Sequence, residues 1–201
     1  MAYSNFTLEM VRTAFQLEIV ESADIFSQAS TVALRERFTD ELAERVELAI
    51  SSGTEKARSE LIVADVLFEL RKHFDHRISF FSGIEFSVDT EQGLTGVCDF
   101  LVSLSPLLSF LEAPVIILVE AKRENLIVGL GQCAAEMIAA QRFNAERDNN
   151  IPCIYGATTS GTDWRFLKLE GERLYIDRVV YHISQCDKIL GILASMVKQK
   201  V

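Results

Sequence analysis

Residues 115–122 read Val-Ile-Ile-Leu-Val-Glu-Ala-Lys, a run of five branched apolar residues that ends in Glu120 and Lys122. A short run of this kind suits a strand buried on both faces of a sheet. Successive side chains of a strand alternate, so Glu120 and Lys122 share one face. A carboxylate and an ammonium at the end of a central strand are costly to desolvate. A metal-binding hydrolytic site gives that cost a purpose.

The pattern around this strand predicts an α/β chain. Apolar positions Phe6, Met10, Ala14, Phe15, Leu17, Ile19 and Val20 predict a helix over residues 5–27. A second helix is expected over 31–50, closed by Gly53. Thr54 has the chemistry of an N-cap for a third, running to about His73. Strands are expected over 78–88, 94–104 and 115–122, then a helix over 126–143 and a strand over 151–159. A hairpin around Glu170-Gly171 and a helix over 184–197 complete the chain. The expected architecture is a mixed sheet flanked by helices. It divides into an N-terminal helical extension, residues 1–53, and a core, residues 54–201.

The 201 residues, 49% hydrophobic and 24% charged, fit one globular domain or a domain with an extension. The four cysteines are widely spaced and form no Cys-x-x-Cys pair. Their mostly apolar surroundings predict reduced, buried thiols in a cytoplasmic protein. The N-terminus lacks the basic-then-apolar pattern of a signal peptide, and no apolar run reaches membrane-span length. No membrane partner is expected. The net charge of −9 counts against a protein that grips nucleic acid through phosphate contacts alone. A local basic patch or a bound metal can supply the missing positive field.

Asp99 lies 21 positions before Glu120, in the middle of the preceding strand, with Phe100 and Val102 on the opposite face. Consecutive strands joined by a short connection tend to neighbour each other, which brings Asp99 toward Glu120. Two carboxylates so placed repel unless one takes a proton or a cation sits between them. Hard divalent cations such as Mg2+ prefer such oxygen sites. A protonated Lys122 is no ligand; it would orient or deprotonate the attacking water, or hold a phosphate oxygen.

Gly96-x-x-Asp99 followed by a strand ending Glu120-Ala-Lys122 resembles the PD-(D/E)xK nuclease superfamily, with its restriction-endonuclease-like fold. The expected αβββαβ order matches that family's common core. Gly131-Gln132, on the following helix, lies where resolvase-like members often place a glutamine. Glu55-Lys-Ala-Arg58-Ser-Glu60-Leu-Ile62 looks like the first-helix motif of the nuclease domain in type I restriction subunits. There the motif's glutamate would be Glu55, with Glu60 as the competing choice. The resemblance spans residues 54–169. Cys98 stands before Asp99 where the family often has proline.

The resemblance implies a Mg2+-dependent deoxyribonuclease, with Mn2+ as an alternative ion. Asp99, Glu120 and the Ala121 carbonyl would hold the metal, with Glu55 at its rim. Lys122 would position the water that attacks a DNA phosphodiester, and Gln132 would orient water or the lysine. Many relatives cut two strands as homodimers. The alternative is an interaction or regulatory protein that retains the fold without cutting DNA, and the acidic charge favours it.

Each residue also has a plainer explanation. Glu120 and Lys122 could be a solvated pair, Asp99 an edge-strand residue, Gln132 a satisfied amide and Glu55 compensation of a helix dipole. Lys72, His73, His76 and Arg77 read as a helix-end loop or a small phosphate-contacting patch, and Trp164 as a strand anchor. Neither a Gly-rich phosphate loop nor a Gly-x-Ser-x-Gly elbow occurs.

Overall fold

The computed structural model describes residues 2–21, 24–149 and 151–199. A 3-10 turn (Tyr3–Asn5) leads into helix α1 (Leu8–Ala14) and strand β1 (Glu18–Val20), followed by α2 (Glu36–Ser52). Next come α3 (Glu55–Arg58), a π-helical stretch (Ser59–Val63) and α4 (Ala64–His73), with helical backbone angles across both junctions. Strands β2 (Ser79–Glu85), β3 (Val97–Ser103) and β4 (Val115–Ala121) form an antiparallel meander. Helix α5 (Leu126–Ala145) crosses over to β5 (Ile154–Thr159), which runs parallel to β4. The hairpin β6 (Asp163–Glu170) and β7 (Arg173–His182) extends the sheet, and α6 (Cys186–Val197) closes the described chain. The result is an α/β protein with one open, mixed, seven-stranded sheet in the order β1-β7-β6-β5-β4-β3-β2.

The branched run 115–121 is buried along its whole length, because β4 has a strand on each side and helices over both faces. Its alternation divides two cores. Ile117 and Val119 join Phe100, Val102, Trp164 and Phe166 under α2, α4 and α6. Leu118 joins Leu101, Leu130, Ala134 and Met137 under α5 and the N-terminal segment. Trp164 is an internal anchor, as its sequence setting suggested: it is wholly buried and donates its indole N–H to the Gly161 carbonyl at 3.0 Å.

The N-terminal residues differ from the continuous helix expected over 5–27. That helix stops at Ala14, and Gln16 takes a left-handed φ of 54°. Residues 18–20 then join the sheet edge as β1, pairing in parallel with β7. The helical spacing of the apolar residues was real as far as Phe15, but its purpose is docking. Phe6, Val11 and Leu17 are buried in the α5-side core, whereas Phe38 and Leu42 of α2 enter the opposite one. The first fifty residues therefore contribute to both layers and to the sheet. Other features follow the pattern closely. Thr54 Oγ1 caps α3 by accepting from the Ala57 N–H at 3.0 Å, Gly53 ends α2 in the left-handed region, and all four cysteines are free and buried. No helix is long and apolar enough to cross a membrane among the described residues.

Candidate metal centre

The β3–β4 ladder runs as far as the Phe100–Val119 pair. Beyond it, the Ala121 N–H is taken by the side chain of Asp99, whose Oδ2 accepts at 2.9 Å. That bond fixes the carboxylate at the end of β4, next to the residues that flank Ala121. On the other side β5 holds the strand: Glu120 pairs with Thr158, and the Lys122 N–H donates to the Thr159 carbonyl at 2.7 Å. Lys122 Nζ forms an ion pair with Glu120 Oε1. The sequence expectation that these three charged groups converge from two adjoining strands is met by this geometry.

Helix α5 supplies the roof. A side chain at Gly129 would place its Cβ 3.2 Å from both Lys122 Cγ and Thr158 Cγ2, a tight contact that would require these side chains to give by a few tenths of an ångström, so the helix lies close over the site. Gln132 Oε1 accepts from Lys122 Nζ at 3.4 Å, and Gln132 Nε2 donates to Glu136 Oε1 at 3.2 Å. Glu55 sits exposed in the first turn of α3, and its negative charge is felt by Asp99, Glu120 and Lys122 alike. Glu60, its competitor, pairs instead with Lys56 at 3.6 Å. Arg58 Nη1 donates to the Ser160 carbonyl at 3.3 Å, in the turn that follows β5.

Burial dominates the electrostatics. Glu120 is 1% exposed, and burial together with the Asp99 charge pushes its carboxyl up to about 8 despite the Lys122 ammonium beside it. Burial raises Asp99 as well, against the lowering effect of the Ala121 N–H. Glu136, wholly buried, is raised well above the carboxylate range by desolvation and then by the Glu120 charge. Burial pulls Lys122 down, but the carboxylates of Glu120, Asp99 and Glu55 outweigh it, and the amine stays protonated at neutral pH. As the site stands, Lys122 is therefore a hydrogen-bond donor and a positive charge, and its proton-accepting role is disfavoured.

A divalent cation fits this donor set. The buried Glu120 Oε2 has no hydrogen-bond partner, and its neighbours are hard oxygen donors. If Asp99, Glu120 and Glu136 all ionise, the Lys122 ammonium leaves two negative charges uncompensated. Among the described residues no three His, Cys, Asp or Glu side chains gather to hold an ion by themselves. A cation here would draw on the Asp99 and Glu120 carboxylates, the Ala121 carbonyl and water, a set that Mg2+ tolerates because it keeps much of its hydration shell.

Glu136 was missed in the sequence, as were Thr158 and Tyr3, whose buried hydroxyls also lack partners. A signal for Glu136 existed: it is a lone carboxylate four residues after Gln132 in an otherwise apolar helical stretch. Several basic residues outside the site are engaged locally. Lys72 pairs with Glu69 at 3.5 Å, Arg142 with Asp89 at 2.6 Å and Lys168 with Glu170 at 3.0 Å, while Arg165 Nε donates to the Asp177 carbonyl. Comparison with protein-family models, with curated proteins and with solved structures finds no match. The likeness to the PD-(D/E)xK superfamily accordingly rests on the motif residues and the strand order alone.

Proposed function

We propose that this protein is a divalent-metal-dependent nuclease that hydrolyses DNA phosphodiester bonds, built on a restriction-endonuclease-like core. The observation that carries this reading is the convergence of Asp99, Glu120 and Lys122 at the end of β4, with an unsatisfied carboxylate oxygen buried among them. The reading is further supported by the meander β2-β3-β4, the crossover α5 and the parallel β5, preceded by the α3–α4 rod, an order compatible with an αβββαβ core.

Mg2+ or Mn2+, held by Asp99, Glu120 and the Ala121 carbonyl, would supply a nucleophilic water at neutral pH and offset charge on the phosphoryl oxygens. The chain's own part is positioning. Asp99 is locked to the backbone of β4, so its carboxylate presents a fixed edge. Lys122, kept cationic by its neighbours, orients the attacking water or binds a phosphate oxygen. Gln132 limits where the ammonium can point. Arg58, Lys56 and Arg123 lie on the segments that flank the site, and the last two form only exposed pairs that a phosphate can displace.

A second reading, a non-catalytic interaction protein that keeps the fold, is favoured by the net charge of −9. Nicking of supercoiled plasmid with Mg2+ or Mn2+ separates the two. The nuclease reading expects metal-dependent relaxation that falls roughly 100-fold or more in Glu120→Ala and Lys122→Ala proteins with wild-type circular dichroism. Absence of metal-dependent cleavage of duplex, single-stranded and branched DNA by the folded wild type would favour the interaction protein.

A further inference from the structure

The Gln132 amide can occupy its space in two ways. A half-turn exchanges its oxygen for its NH2 group with almost no change of shape. With the oxygen toward Lys122 the amide accepts from the ammonium; turned round, it would present N–H dipoles to a cation. The deciding contact lies on the far side, where Nε2 donates to Glu136 Oε1 one helical turn further along α5. With Glu136 Oε1 accepting there, the amide oxygen faces Lys122.

Stability gives Glu136 no reason to exist. It is 0% exposed, its Oε2 has no partner among the described residues, and Ala135, Met137, Ala139 and Ala140 around it are buried and apolar. An apolar side chain of similar volume would pack there at lower cost. A buried polar group with an unpartnered oxygen, bonded to the residue that contacts Lys122, is a candidate for a part in the site.

We propose that Glu136 is a positioning residue: its carboxyl fixes the Gln132 amide with the oxygen turned to Lys122, and so holds the ammonium in register with Glu120. The kinetic consequence rests on the nuclease reading; the orientation of Gln132 does not. Two readouts are therefore combined. In Glu136→Leu, kcat for plasmid nicking falls roughly 10- to 100-fold with little change in KM, as expected for loss of a supporting contact. The melting temperature of that variant stays level or rises. Glu136→Gln, which keeps an acceptor at the same place, restores most of the rate. In metal-free protein, the Gln132 side-chain amide resonances, identified by their absence in Gln132→Ala, stay dispersed and slowly exchanging in wild type and Glu136→Gln. They collapse toward the free-amide position in Glu136→Leu. Should leucine prevent folding, Glu136→Met is the second apolar variant, since its flexible chain fills irregular space.

An apolar variant that folds, cuts at the wild-type rate and leaves the Gln132 amide unchanged overturns the proposal, as does a Glu136→Gln protein as impaired as the apolar one. If the wild type cuts no DNA at all, the nuclease reading fails. The amide resonances then decide the positioning role by themselves.

Discussion

At the scale of single residues, the site is defined by groups held in protonation states that water would not favour. The Glu120 carboxyl keeps its proton up to about 8 in the folded chain, against about 4.3 for a glutamate in an unfolded one. Between those values the folded state carries the extra proton, so stability falls as pH rises through the window. Asp99 and Glu136, also raised, act in the same direction. The metal-free protein is therefore expected to melt progressively lower between about pH 5 and about pH 8. Glu120→Gln removes one of these contributions: it should reduce that slope and raise the melting temperature at pH 8, by roughly 2–4 °C per kcal/mol relieved. A Glu120→Gln protein that melts below the wild type at pH 8 would show the carboxyl to be a stabilising member of an ordinary ion pair. Glu136 marks where residue-level reading of the sequence ended. One charge on a helix looks like a solvent-facing position until tertiary packing puts the whole face indoors, and α5 is covered by the sheet on one side and by the N-terminal segment on the other.

At the scale of elements, legibility followed the physics of each pattern. The uninterrupted branched run of β4 and the capping chemistry of Thr54 and Gly53 are local signals, and they matched. The segment 5–27 misled because docking on a helix and being a helix can give the same apolar spacing. The left-handed Gln16 and the edge pairing of Ile19 with Leu174 are set by tertiary contacts that no local pattern carries. That docking has a tight point. A Cβ on Gly131 would lie 2.4 Å from the Phe6 carbonyl oxygen, a backbone atom that cannot turn aside. Gly131→Ala is thus expected to push the N-terminal segment off α5 at a cost of about 1–3 kcal/mol in urea unfolding. Hydrogen exchange should quicken over residues 3–17 while the amides of β4 and β5 keep their protection. Unchanged stability and exchange would mean that the segment rests on α5 only loosely.

At the scale of the whole molecule, one open sheet with both faces covered delivers a charged cluster to the end of β4, an interior strand. Three neighbours hold it there: β3 through Asp99, β5 through the Thr159 carbonyl, and α5 through Gln132. From β2 to β7 the sheet neighbours follow chain order, each step a short connection or a single helical crossover, which is the kind of step a sequence reveals; the edge pairing of β1 with β7 is not. Nor is the placement of Asp99 against the Ala121 N–H, since it depends on where the ladder stops. The proposed divalent cation would satisfy the buried, unpartnered Glu120 oxygen, and its binding can be tested without any substrate. Mn2+ titrated into the protein at neutral pH and followed by electron paramagnetic resonance of the free ion should reveal a saturable site in the wild type that is lost in both Asp99→Asn and Glu120→Gln. Equal Mn2+ uptake by the wild type and both variants, or none by any of them, would contradict the metal centre on which the account depends.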